Sequence, residues 1–277
     1  MESSLIRAGG RAARWLVPLA AGVVFFAFLM YAPEGVLGKA DAIGYAVCHR
    51  IDVRSFHIGT TALPLCAHCT GMYLGALLGL VFLGLTGGRR TGLPDKWMMV
   101  LLGAFVLAFA VDGSNSYLYL IKQMGNGPFS QIPNLYIPNN TLRLFTGTGM
   151  GLVIAAILLP AFNQSFWTDW KPGNIFKGWK HLLALVGLAV VLDLIVLADV
   201  PAVLLVLALL SAATVVLLLT LVYSLVILMV TRQENRFVSL ARAWLPFTAG
   251  FTIAMLQILA IDILRLTLTG TWSGFPL

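Results

Sequence analysis

The stretch Cys48–Cys69, CHRIDVRSFHIGTTALPLCAHC, holds every cysteine of the chain and three of its four histidines. No other segment concentrates nucleophilic and metal-ligating side chains in this way. Cys66 and Cys69 are spaced i and i+3, so a helix would point both thiols the same way. A helix N-terminus favours the thiolate, and both metal binding and disulfide exchange require it. Pro64 suits the first turn of such a helix, while Gly59 permits the turn that returns Cys48 to the pair. Cys48, Cys66 and Cys69 with a histidine would form Cys3His, a common closed zinc set; His49, His57 and His68 are the candidates for that fourth ligand. Three readings compete. The leading one is a metal site with zinc as the expected ion, although soft thiolates also admit copper or iron. The second is a redox-active Cys66/Cys69 pair exchanging with Cys48. The third is a static disulfide with one spare thiol. A c-type haem is excluded, because Thr70 stands where attachment needs histidine.

The elements that position this stretch are membrane helices. The 277 residues are 59% hydrophobic and 10% charged, against about 25% charged in soluble domains. Seven apolar segments can be drawn, at about 15–32, 66–86, 97–119, 140–162, 181–199, 202–230 and 244–269, each near the ~20 residues a span needs. The expected fold is an all-α polytopic bundle forming a single membrane domain over 1–277. Between the spans lie a Cys/His loop at 33–65, a proline-rich loop at 120–139 and a Trp/Lys segment at 163–180 that reads as an interfacial belt. The basic N-terminus resembles a signal peptide, but the small-residue site at Ala40–Ala42 lies too far past the apolar core, so a retained first helix is expected.

Charge sets the expected orientation. Arg7, Arg11, Arg14, Arg89, Arg90, Lys96, Lys171, Lys177, Lys180, Arg232, Arg236 and Arg242 all fall on one side of the seven segments. The positive-inside rule then puts the N-terminus in the cytoplasm and the C-terminus outside, with the Cys/His loop on the extracytoplasmic side of a cell membrane. The net charge of +7 therefore reads as topology, and no nucleic-acid motif is present. The lipid bilayer is the expected partner, with subunits of a membrane complex as a further one.

Ionisable residues in spans are costly and usually face a bundle interior. Here they gather toward the outer ends: Asp112 and Asn115 in the third span, Asn140, Arg143 and Thr146 in the fourth, Asp193 in the fifth, Asp262 and Arg265 in the seventh. With Arg50 and Arg54 they suggest one polar pocket opening outward. Asp112 is the candidate base and Arg143 the candidate anion holder; Arg50, Arg54, Asn115, Asn140 and Asp193 are candidate pocket residues. Structural ion pairing of Asp112 with Arg143, and of Asp262 with Arg265, is the plainer account. Gly71, Gly75 and Gly79 in one span and Gly147 and Gly151 in another form ladders that let two helices approach closely. Their packing would bring Cys66 and Cys69 near Asn140 and Arg143.

Cys48-His49-Arg50, Arg54-Ser55-Phe56, Gly59, Pro64, Cys66, Cys69, Gly71 and Tyr73, followed by Asp112-Gly113 and Asn140-x-x-Arg143-x-x-Thr146-Gly147, resemble a family of uncharacterised prokaryotic membrane proteins, the domain of unknown function number twenty eighty-five. The resemblance covers roughly residues 43–160 and leaves the last three spans outside. It implies Cys48, His49, Cys66 and Cys69 as the ligand set, with His57 and His68 as variable positions, and it implies no reaction. The function expected from all of this is an integral membrane protein with an outward-facing Cys/His metal site beside a polar pocket that acts on or recognises an anionic lipid or small ligand. A membrane thiol–disulfide oxidoreductase using Cys66/Cys69 is the first alternative. An accessory subunit of a larger membrane complex is the second.

Overall fold

Apolar length decides the architecture. A computed structural model describes residues 2–123 and 131–274, with side chains from residue 12 onward. The side chains of Arg7 and Arg11, and Pro128 with the rest of 124–130, lie outside the described residues. The chain is a helical bundle: α1 (Glu2–Tyr31), α2 (Gly35–Val47), α3 (Ala67–Gly87), α4 (Lys96–Gln123), α5 (Asn140–Phe166), α6 (Trp179–Leu197), α7 (Pro201–Thr231) and α8 (Trp244–Thr269). All but α2 are long and apolar enough to cross a membrane, seven in number as the sequence suggests. The ends follow local chemistry. The Asn139 side chain caps α5 by accepting the Leu142 N–H at 2.8 Å, and Pro201 opens α7 where its missing N–H costs nothing.

Helix α2 falls inside the segment expected to be a loop. Its 13 residues reach only about 20 Å, too short to span, and Lys39 and Asp41 mask its apolar face. That face is nonetheless buried: Ala42 packs with Phe28 of α1 and with Met255 and Ile258 of α8. Tyr45 is fully buried and donates its hydroxyl to the Thr271 carbonyl at 2.8 Å.

The central contact is α3 against α5. A methyl group built on Gly71 or Gly75 would overlap the Leu144 or Thr148 carbonyl oxygen, and one on Gly147 or Gly151 would overlap the His68 or Met72 carbonyl oxygen. The two backbones therefore touch, as the glycine ladders require.

The basic loops meet at one end of the bundle. Strand β3 (Arg90–Gly92) pairs in parallel with β4 (Lys171–Asn174). The Asn235 and Phe237 amides donate to the Ser165 and Phe166 carbonyls at 2.8 and 3.1 Å. Arg89 pairs with Asp169 and lies 4.1 Å over the Trp167 ring. Trp167 is buried there beneath the loops, whereas Trp170 and Trp179 are exposed. Arg14 and Trp15 line a cavity with Trp244, which places the start of α1 at this same end.

Replacing Gly147 by Ala should separate α3 from α5 and cost about 1–3 kcal/mol, the usual range for overpacking. Gly84→Ala, where a methyl meets nothing within 4 Å, should leave stability unchanged or slightly raised. Thermal unfolding of the two variants in one detergent measures the difference, and equal melting temperatures would remove the close contact.

Candidate functional site

Three turns of backbone bring the cysteines together. Helix α2 stops at Cys48, whose extended backbone donates to the Gly44 carbonyl at 2.8 Å. Arg50 adopts a left-handed φ of 52° and reverses the chain. A short 3-10 turn at Asp52–Arg54 then leads into a hairpin of β1 (His57–Ile58) and β2 (Thr61–Ala62). Gly59 sits in its turn at φ 61°, the conformation glycine adopts most readily. Pro64 lies before the helix rather than inside it, since Cys66 is the extended N-cap residue and α3 begins at Ala67. Cys66 and Cys69 are thus N-cap and N3, positions that face one another at a helix start.

The three sulfurs lie within 4.8 Å of one another. Cys48 Sγ accepts the Cys66 and Arg50 backbone N–H groups at 3.4 and 3.5 Å. Around them pack Ile43, Val47, Leu65, Tyr73, Val215 and Leu219, so that Cys48 and Cys66 are buried and Cys69 is nearly so. Thiol hydrogen bonds from Cys66 and Cys69 hold the Cys48 thiol well below its ordinary range. The same pairing with Cys48 pushes the Cys66 thiol up to about 12. Cys48 is therefore the most acidic thiol of the trio, with two thiol donors pointed at it.

This geometry corrects the expected Cys/His site in two respects. Among the described residues, the group of potential ligands that converges here is Cys48, Cys66 and Cys69 without a histidine. The cluster is also buried beneath α2 and α7 rather than displayed as an extracytoplasmic site. The physical reason is side-chain direction. His49 follows Cys48 in extended backbone, where successive side chains point oppositely; its Nδ1 accepts the Ile51 N–H at 3.1 Å, and burial lowers its pKa. His57, on the hairpin, pairs with Asp52 at 3.0 Å. His68 turns away from Cys69 around the helix to reach Thr146 Oγ1 at 3.3 Å and Asp112 Oδ2 at 4.0 Å.

The expected pocket residues divide into groups. Arg143 donates to Asn140 Oδ1 at 2.8 Å and to Ser116 Oγ at 3.1 Å, while Arg54 donates to the Ser116 carbonyl. Asn140 donates to the Ser55 carbonyl at 3.2 Å, tying α5 to the cysteine hairpin. Asp112 accepts from the Tyr136 hydroxyl at 2.7 Å; burial and this bond push the Tyr136 phenol up to about 12, so it keeps the proton it donates. Asn115 accepts the Leu135 N–H at 2.9 Å and donates to the Tyr136 carbonyl at 3.0 Å. The described part of the proline-rich loop is thereby tied down over α4. Asp112 and Arg143 do not form a direct pair, because each is satisfied by other groups. Arg50 pairs with Asp41 at 2.8 Å, and Asp193 stands apart on Thr148.

Several residues here escape sequence reading. Ser116 and Tyr136 join the two arginines and Asp112, yet nothing in their spacing marks them. Arg265 was read as the partner of Asp262 on one helical face. Instead its guanidinium donates to the Tyr45, Cys48 and His49 carbonyls at 2.5, 2.7 and 3.3 Å and stacks 3.9 Å over the Tyr45 ring. Both carboxylate oxygens of Asp262 are buried without a hydrogen-bond partner among the described residues.

Comparison with known proteins falls on the same part of the chain. Residues 48–157, from Cys48 through most of α5, match the family described as "Predicted membrane protein (DUF2085)". The chain is a polytopic membrane protein, and its residues 48–157 are similar to that family. An uncharacterized protein of Methanocaldococcus jannaschii is 24% identical over 172 residues, covering 57% of this chain and 97% of its own. Another, from Methanothermobacter thermautotrophicus, is 27% identical over 111 residues, covering 40% of this chain and 83% of its own. No solved structure matches. The matched segment contains all three cysteines and most of the contact of α3 with α5; α6, α7 and α8 lie beyond it.

Arg265→Lys keeps the charge and loses the planar fork that reaches three carbonyls. Unpaired buried acceptors cost about 1–3 kcal/mol each, so the Cys48 loop should open first. Thermal unfolding followed with a thiol-reactive dye should show Cys48 labelled well below the melting temperature of the unaltered protein. Unchanged labelling would show that Arg265 does not hold the loop.

Proposed function

We propose that this protein is a membrane thiol–disulfide oxidoreductase whose chemistry runs through Cys48, Cys66 and Cys69. The observation that carries the reading is the convergence of three sulfurs, two of them on buried residues, with Cys48 made the most acidic. Oxidation of Cys66 and Cys69 forms one S–S bond and releases two protons and two electrons. A lipid-soluble quinone is the acceptor class that takes up both as a hydroquinone. The Cys48 thiolate then attacks the Cys66 sulfur, forming a Cys48–Cys66 bond and expelling Cys69 as thiolate. An apolar cavity of about 430 Å³ between α3, α5 and α7 supports access from the lipid side. Tyr73, Val215 and Leu219 line it and also pack on the cysteines. Asp112, which meets His68 of the same helix start at 4.0 Å, serves as proton acceptor, and the cations Arg54 and Arg143 act on Cys66 through their field. The basic end of the bundle faces the cytoplasm, which puts the N-terminus there and the C-terminus opposite.

A second reading has its own observation. The Cys66 and Arg50 N–H groups that converge on Cys48 Sγ favour a thiolate as a metal ligand does, and three thiolates suit a soft ion such as zinc or copper. Cys48, Cys66 and Cys69 would hold it, and three protein ligands would leave the fourth position of a tetrahedral ion open.

Incubating the purified chain with a short-chain ubiquinone, then counting thiols without reductant, tests the proposal. Two thiols should disappear per hydroquinone formed, and Cys66→Ser or Cys69→Ser should abolish the reaction. Asp112→Asn should slow it about 100-fold, within the usual range for a lost acid–base group, without changing the final thiol count. One metal ion per chain with all three thiols retained would sink the redox reading and leave the metal one.

A further inference from the structure

A second cavity, of about 240 Å³, lies between α4, α5 and α6, inside the spanning segments. None of the cysteine cluster's packed neighbours lines it. Its walls are apolar, with Phe105 from α4, Phe145 and Leu152 from α5, and Val186 and Ala189 from α6. One charged side chain reaches it, Asp193, which is 2% exposed. The Thr148 hydroxyl donates to Asp193 Oδ1 at 2.6 Å. Among the described residues this bond serves one oxygen of a group with two, and a buried carboxyl surrounded by hydrocarbon is costly unless it is fully partnered.

We propose that this cavity binds a lipid-soluble molecule carrying a ring hydroxyl, an alkylphenol or a hydroquinol, whose O–H donates to Asp193. The donor inventory selects this class. A hydroxyl brings one proton to one acceptor. An ammonium brings three donors together with a full charge, which cost more to move from water into these apolar walls than a neutral hydroxyl does. A phosphate would set like charge against the carboxylate. Phe105 and Phe145 put aromatic side chains in the lining, suited to an aromatic head. The size also suits, since an apolar cavity of about 150 Å³ accepts benzene in another protein, and the remaining volume takes the start of an alkyl tail.

The test uses the full chain in lipid nanodiscs with three probes, 4-octylphenol, its methyl ether 4-octylanisole, and octylammonium, each followed by equilibrium dialysis. Octylphenol should bind at least about 10-fold more tightly than octylanisole, the ratio expected of a hydrogen bond worth about 1.4 kcal/mol. In Asp193→Asn, Thr148 keeps its bond to the amide oxygen and an NH2 donor faces the cavity. The preference should then fall below about 2-fold while octylanisole still binds. Ala108→Phe, on the exposed side of α4 at the cavity wall, should weaken both aromatic probes. Equal binding of phenol and ether to the unaltered protein, or a preference that survives Asp193→Asn, would overturn the proposal. So would tighter binding of octylammonium, which would mark a cation site. Should Asp193→Asn fail to fold, the phenol-to-ether ratio of the unaltered protein together with Ala108→Phe decides. These outcomes are independent of the thiol count, so the cavity and the redox reading stand or fall separately.

Discussion

Backbone contact between α3 and α5 is the constraint on which the rest of this molecule depends. In lipid, helices gain little from hydrophobic burial, and close packing of small residues takes over. Four glycines on the facing sides let the chains meet at carbonyl distance. That approach fixes where α3 begins relative to the head of α5. It thereby sets Cys66 and Cys69 beside the hairpin that Asn140 holds and His68 against Thr146 and Asp112. A looser helix pair would leave the same side chains in the same order and no site.

Charge at the cysteines follows from that placement. Three thiols so close, in apolar surroundings, cannot all ionise, because like charges and poor solvation oppose it. One thiolate with two thiol donors is the arrangement that satisfies every sulfur. It lands on Cys48 because this sulfur alone receives two backbone N–H groups in addition. The cationic neighbours Arg54 and Arg143 are occupied with Ser116 and Asn140, so they contribute field rather than direct contact.

Much of this was legible in the sequence. Apolar length gives the seven spans, the glycine ladders give the central contact, and the cysteines announce themselves by concentration. The histidines mislead because proximity in sequence says nothing about direction. His49 and His68 each adjoin a clustered cysteine, and backbone geometry sends both elsewhere. Helix α2 hides because charged residues share a short segment with its buried face. Arg265 was visible only as a near neighbour of Asp262, and the carbonyls it holds lie more than two hundred residues earlier in the chain. Contacts between carbonyl groups and a distant guanidinium leave no periodic trace.

That last contact has a consequence for biogenesis. Cys48, Cys66 and Cys69 leave the ribosome well before α8, which carries the guanidinium that clasps the Cys48 strand. Until that helix inserts, nothing from it restrains the strand, and the thiols stay open to oxidants, metal donors and folding helpers. The finished bundle closes over whatever state they have reached by then.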